Sequence, residues 1–353
     1  VVTIPGGRIR SVRDRRGGSA ADMAAHCTTA RDKQPFRRQF SFWGANMVRN
    51  GRLSAVIALS CAVAGVGLVG CEDSTKADAD ASAGGRSATA PEKAADEGLL
   101  TGTKKIEVGG RLVKVSCAGT SADDRPVIVL LSGGGDGLEK VAGIQKTLSE
   151  KNRVCAYDRF GEGGSDKPDG PQTLESTGKV LTAVLDRVAG DRPVVLAGHS
   201  LGGLIAARYA PEHQDRVKGL VLMDATSPTQ TADLNKGIPE SATGPAVALR
   251  DQTLAILHGG EPEMLTVPDG KVRSAGDIPV EVIHHGKQYL AAVPDYGPGL
   301  ERAWTNGQRK WLAVSSRSRL STAKNSEHYI YVDQPDVAVR AIERVTSQAA
   351  DRA

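Results

Sequence analysis

The sequence predicts an α/β fold, a mostly parallel sheet covered by helices, on three observations. Apolar runs with little alternation recur at 126–134 (PVIVLLSGG), 153–161 (RVCAYDRFG), 193–200 (PVVLAGHS), 219–226 (GLVLMDAT) and 279–286 (PVEVIHHG), as strands buried on both faces require. Between them lie stretches with the Leu/Val/Ala spacing of amphipathic helices. The alternation of the two is the third, and a sheet whose helices return the chain to the same edge is what it implies.

Taken in order, IEVGGRLVKVSCAG (106–119) predicts a hairpin about Gly109-Gly110. The helical segments are LEKVAGIQKTLSE (138–150), STGKVLTAVLDRVAG (176–190) and LGGLIAARYAPEH (201–213). SRSRLSTA (316–323) is strand-like, and PDVAVRAIERV (335–345) is helical. The alternation breaks from Ser227 to Asp277, where Pro228, Pro239, Pro245, Pro262 and Pro268 interrupt scattered apolar residues. That segment is expected to form a small, cap-like insertion, partly helical, over the carboxyl edge of the sheet, where it shapes a ligand pocket.

Ahead of this body the composition changes. The chain has 353 residues and a formal charge of +4, but residues 1–46 hold nine Arg/Lys against three Asp, and Arg49 and Arg52 follow. From Cys71 onward the balance is negative, so the basicity belongs to the leader and the body offers no electrostatic footprint for nucleic acid. From Met47, MVRNGR precedes an 18-residue apolar run (Leu53–Gly70) and Cys71, the grammar of an export signal over 47–70. The tetrapeptide Leu68-Val69-Gly70-Cys71 resembles the lipobox of bacterial lipoprotein signal peptides, which implies a lipid on Cys71 and a domain held at the outer face of the membrane, or secreted. The alternative, an uncleaved anchor, sits at the lower length limit for a span and exports the domain as well. Residues 1–46 show no sustained apolar periodicity and are expected to be an unstructured upstream segment, with Met47 as the native start. Residues 71–100, rich in Ala, Ser, Asp and Gly, read as a flexible tether, and 101–350 as the folded domain. With Cys27 and Cys61 in the leader and Cys71 at the lipid site, Cys117 and Cys155 remain as one pair in an oxidising compartment. No C-x-x-C or His-rich spacing points to zinc.

Gly198-His199-Ser200-Leu201-Gly202 lies between the run PVVLA and the helical LIAARYA. A serine on so sharp a strand-to-helix turn needs small neighbours two positions to either side, which Gly198, Gly202 and also Gly203 supply. The amides of the following helix point at the serine, where negative charge would develop.

Together with LLSGGG (130–135), YDRFGEGGSD (157–166) and EHYIYVDQPDVAVRAI (327–342), GHSLGG (198–203) makes the sequence resemble the α/β-hydrolase family from about Thr101 to Val345. The resemblance implies the α/β-hydrolase fold, an eight-stranded sheet in the order 1-2-4-3-5-6-7-8, and esterase-like acyl transfer by a serine without a cofactor or metal. Ser200 is then the nucleophile and His328 the base, following it in the family's order of serine, acid and histidine. The acid follows the seventh strand in most relatives, but PVEVIHH leads into GKQYLAAV with no carboxylate before Asp295. Asp224, which ends the preceding strand, is favoured over Asp295 and Glu301. The oxyanion hole falls to the amides of Leu201 and Gly134, in a loop whose Ser132 stands where relatives usually carry histidine. Read as a phosphate cradle, GGGDG lacks the following Lys-Ser/Thr. His199 resembles the residue that usually precedes the nucleophile. His284 and His285 are expected as exposed loop residues, without a carboxylate or cysteine at metal-ligand spacing, and His213 and His258 as surface residues. Cys117 and Cys155 fall on the second and fourth strands, adjacent in the family's order, which permits a disulfide. The expected substrate is a small acyl compound, a carboxylic ester by default. Amide (as in an aminopeptidase), lactone or carbon–carbon cleavage, and a catalytically silent binding lipoprotein, remain the alternatives. The sequence leaves oligomeric state open.

Overall fold

The computed structural model describes residues 98–120 and 125–352. The export signal, Cys71 and nearly all of the tether therefore lie outside the described residues. Among the described residues, no helix is long and apolar enough to cross a membrane.

Eight strands form one sheet: β1 (Gly102–Val108), β2 (Arg111–Ala118), β3 (Val127–Leu131), β4 (Val154–Tyr157), β5 (Val194–His199), β6 (Val217–Met223), β7 (Pro279–His285) and β8 (Arg317–Ala323). Their order is β1-β2-β4-β3-β5-β6-β7-β8. The first two form the antiparallel hairpin, with Gly109 and Gly110 at φ 59° and 79°, a conformation that glycine takes without steric cost. β2 also pairs antiparallel with β4, and every later pairing is parallel.

Alternation on the buried strands divides the core in two. On β3, Val127, Val129 and Leu131 face one layer while Ile128 and Leu130 face the other. The first layer packs on α2 (Leu174–Ala189) and α3 (Leu201–Tyr209), through residues such as Leu181, Leu185 and Leu204. The second packs on α1 (Leu138–Ser149) and α7 (Pro335–Ala350), through Val141, Ile144, Ala341 and Ile342. α2 begins two residues earlier than the apolar pattern alone suggests, because the Thr173 hydroxyl accepts from the Ser176 amide in a capping box. Cys117 and Cys155 face each other across β2 and β4 and are joined as a disulfide.

The chain leaves β3 for β4 on one side and returns to β5 on the other, so the carboxyl ends of β3 and β5 flank the switch point where such sheets bind ligands. Between β6 and β7 the interrupted segment forms α4 (Gln230–Gly237) and α5 (Pro245–Leu257). These helices pack Leu234, Ile238 and Ala246 against Leu290 and Leu300 in a small apolar cluster of their own. Leu300 belongs to α6 (Gly297–Lys310), a helix that sequence reasoning missed.

Candidate active site

Ser200 stands between β5 and α3 with φ 49° and ψ −120°, on the strained side of backbone space. The surrounding glycines are obligatory. A Cβ on Gly198 would lie 2.5 Å from the Gly202 backbone, one on Gly202 2.4 Å from the Leu131 carbonyl, and one on Gly203 2.7 Å from Ala225 Cβ. The turn is locked by its hydrogen bonds: Ser200 N–H donates to the Met223 carbonyl at 3.1 Å, and Thr226 N–H donates to the Ser200 carbonyl at 3.0 Å.

His328 lies in the turn after β8, and its Nδ1 is 2.7 Å from Asp224 Oδ2. Asp333 holds that turn by accepting from Glu327 N at 2.8 Å and Ser326 Oγ at 3.2 Å. The buried His199 steadies it from below, its Nε2 lying 3.0 Å from the His328 carbonyl. Burial pushes His199 well below the usual histidine range, and the nearby His328 acts in the same direction. His199 is thus neutral and donates from Nε2.

Asp224 follows β6 at φ 46° and is wholly buried. Neither Asp295, which is exposed, nor Glu301, which bonds elsewhere, takes this place beside His328. Besides His328, the Asp224 carboxylate meets His285 Nδ1 (2.9 and 3.0 Å), the His285 backbone N–H (3.1 Å) and Trp304 Nε1 (2.9 Å). Burial alone would raise its pKa. The hydrogen bonds and charge of His285 and His328 outweigh that and hold the carboxyl below its ordinary range.

His285 corrects the expectation of an exposed loop residue. β7 continues through both histidines, with His285 level with Ala323 of β8, and His285 is buried with its Nε2 2.9 Å from Glu301 Oε2. His284 is half-buried and bonded to Thr322 Oγ1 at 2.8 Å. The carboxylates that local spacing did not reveal come from β6 and α6, 61 and 16 residues away. Burial lowers the pKa of His285, but the hydrogen bonds and charge of Asp224 and Glu301 prevail and bring it up to about 9. Of the remaining histidines, His258 is exposed, while His213 is half-buried with its ring stacked on Tyr209.

The loop after β3 is aimed by residues of the YDRFGEGGSD stretch. Arg159 Nη1 donates to the Ser132 carbonyl at 2.7 Å and Nη2 to the Gly133 carbonyl at 2.8 Å, while Nε and Nη2 clamp Glu263 of the insertion at 2.6 and 2.7 Å. Because the peptide is trans and planar, fixing the Gly133 carbonyl toward Arg159 turns the Gly134 N–H to the opposite side. Gly134 lies against Leu201, whose Cδ2 would be 3.4 Å from a Cβ there. Glu162 Oε1 accepts from Gly135 N at 2.7 Å, and burial together with Glu263 pushes Glu162 up to about 8. Asp158 ties the stretch to α1 by accepting from Leu138 N (2.6 Å) and Gly164 N (2.7 Å).

A strained serine at the switch point, a histidine bonded to a buried aspartate and a glycine loop opposite the helix amides define a hydrolase of the α/β-hydrolase fold. Comparison with known proteins agrees: a profile of the alpha/beta hydrolase fold matches residues 126–242. The human (lyso)-N-acylphosphatidylethanolamine lipase is 24% identical over 272 residues, spanning 63% of this chain and 80% of the lipase. An uncharacterised Schizosaccharomyces pombe protein is 36% identical over 84 residues, which are 24% of this chain and only 16% of that protein's length. The crystal structure of a membrane phospholipase A aligns with a TM-score of 0.50 at 18% identity over 71% of this chain and 87% of that one, a likeness of fold.

Proposed function

We propose that the protein is an exported serine hydrolase that cleaves carboxylic esters with an apolar acyl chain, through a Ser200–His328–Asp224 triad. The observation that carries this reading is the 2.7 Å bond from His328 to a buried aspartate, at the sheet edge where Ser200 is held on its strained turn. His328 takes the proton of Ser200 as its Oγ attacks the ester carbonyl. Asp224 holds the Nδ1–H tautomer and balances the imidazolium that forms. The amides of Gly134 and Leu201 bind the oxyanion. His328 protonates the leaving alcohol, then activates the water that releases the acid from the acyl-enzyme.

Support for an apolar chain comes from the cluster of Leu234, Ile238, Leu290 and Leu300. Trp304 and Tyr289 pack on that cluster, and their rings lie 5.5 and 6.0 Å from that of His328. Hydrocarbon thus lies between the base and the insertion, and the human relative is by name a lipase. A lipid on Cys71 would hold the enzyme beside such substrates.

The test is intact-mass analysis of the full chain after treatment with a fluorophosphonate. Wild type is expected to label at Ser200, His328→Ala not at all, and Asp224→Asn about 10³–10⁴-fold more slowly. A folded wild type that does not label refutes the triad. On p-nitrophenyl esters, rates that fall steadily from butyrate to laurate refute the apolar chain. Loss of incorporated radiolabelled fatty acid in Cys71→Ser is expected, and absence of label in wild type refutes the anchor.

A further inference from the structure

His285 is a buried ionisable group in contact with the triad that the proposed mechanism leaves unused. Both of its ring nitrogens are 2.9 Å from a carboxylate oxygen, Nδ1 from Asp224 Oδ2 and Nε2 from Glu301 Oε2. A neutral imidazole has one N–H and would turn a lone pair toward one of those carboxylates. The other Glu301 oxygen takes the Leu290 N–H at 2.7 Å and the Ala291 N–H at 3.3 Å. An imidazolium between two carboxylates satisfies both contacts at once. The other groups around it are Tyr289 and Trp304, ring centroids 4.8 and 6.3 Å away, His284 at 6.2 Å, and His328 across Asp224. Tyr289 is buried and its hydroxyl is raised well above the usual range by burial, so it carries no charge here. Burial and the charge of His285 push His284 down.

We propose that His285 is a positioning residue for the reaction, a standing cation that shares the triad aspartate with His328, fixes the carboxylate's orientation and opposes a second positive charge on His328. This deepens the triad reading and rests on it. Asp224 Oδ2 receives both imidazoles, His328 at 2.7 Å and His285 at 2.9 Å, so its charge is divided between them. An unshared aspartate would pull a proton onto His328, and the protonated ring cannot act as a base. His285 also orients the acid without its charge, because its backbone N–H and Trp304 Nε1 both hold Oδ1 and leave Oδ2 toward His328.

The two ring nitrogens bonded to one oxygen lie within about 6 Å of each other, where a unit charge at an effective dielectric constant of about 20 shifts a neighbour by about one to two pH units. The sign is fixed: a positive His285 disfavours protonation of His328. Replacing it with a neutral amide therefore moves the acid limb of the pH–rate profile upward.

The experiment measures the second-order rate of fluorophosphonate labelling of the full chain from pH 4.5 to 9, for wild type and His285→Gln. The acid limb is expected to rise by about one to two units in the variant, with any fall in the plateau rate separate from that shift. A folded variant that labels with an unmoved limb overturns the proposal and leaves the triad standing. A wild type that does not label overturns both. Should the variant not fold, ¹⁵N-detected imidazole resonances of the wild type decide: both nitrogens of His285 protonated at pH 7, with titration only near 9, supports the cation. A neutral ring at pH 7 refutes it.

Discussion

Arg159→Met tests how the proposed oxyanion loop is aimed. The guanidinium is buried and makes four bonds of 2.6–2.8 Å: two to Glu263 and one each to the Ser132 and Gly133 carbonyls. Methionine fills a similar volume and removes all four. Glu263 is then a buried carboxylate without its cation, a loss of about 3–5 kcal/mol, and two buried carbonyls lose donors. For a domain of this size that is a fall in Tm of about 10 °C, measured by scanning calorimetry. The kinetic consequence is separate. With the Gly133 carbonyl released, the Gly133–Gly134 peptide is free to rotate, and one misaimed oxyanion donor is worth about 10²–10³ in rate. The assay is the fluorophosphonate labelling rate at a temperature where calorimetry shows the variant folded. Arg159→Lys, which keeps the charge beside Glu263 but not the planar fork, is expected to recover much of the stability and little of the rate. A folded Arg159→Met that labels at the wild-type rate refutes the claim that Arg159 aims Gly134.

Glu162→Gln is expected to stabilise the protein above pH 6. The raised Glu162 keeps its proton in the folded state up to about 8, whereas the unfolded chain releases it near 4.5. The folded state therefore binds the extra proton between those values, and stability falls as pH rises across that window. Glutamine still accepts from Gly135 and removes the slope, a gain of about 2–4 kcal/mol at pH 8. Equal pH dependence of Tm in both proteins refutes this. Replacing Cys117 and Cys155 together by alanine opens a link across 38 positions and is expected to lower stability by about 2–4 kcal/mol while leaving the labelling rate per folded molecule unchanged, since the pair lies within the sheet and away from Ser200. A rate loss in the folded double variant counts against that separation.

The centre of the sheet was legible in the sequence because β3 to β7 are nearly continuous apolar runs and α1 to α3 periodic ones, signals carried by local burial. Ser200 was legible for a related reason, since a strained turn demands glycines at fixed offsets and Gly198, Gly202 and Gly203 answer it. α6 was not. It opens on Gly-Pro-Gly and carries Gly307, residues that punctuate loops, but proline is tolerated in a first helical turn and Gly307 is required where a Cβ would lie 2.7 Å from Ser227 Cβ. With that helix unread, Glu301 and Trp304 had no address, and nothing local to PVEVIHHG could show that His285 has carboxylate partners.

The position of Asp224 and the identity of His285 are linked by the pairing of β6 with β7. Met223 pairs with Ile283, so β6 and β7 end side by side, and a residue just past β6 sits beside the last residues of β7. Asp224 N–H donates to the Ile283 carbonyl at 2.7 Å, and the left-handed turn at Asp224 sends its carboxylate across to the β7 end, where the His285 backbone and ring both meet it. A carboxylate at position 285 would face Asp224 in a wholly buried space, two like charges within bonding distance, and one of them would have to take up a proton. A cation there reverses the balance and lets Asp224 remain an anion against His328. An acid placed on β6 thus calls for a donor on β7, and this sequence supplies one that can give from backbone and side chain at once. By the same reasoning His285→Asp should be worse than His285→Gln: its added carboxylate raises the pKa of Asp224 and leaves His328 without a charged partner, so labelling should fall further. Equal rates in the two folded variants would show that the β7 end does not govern the charge on the acid.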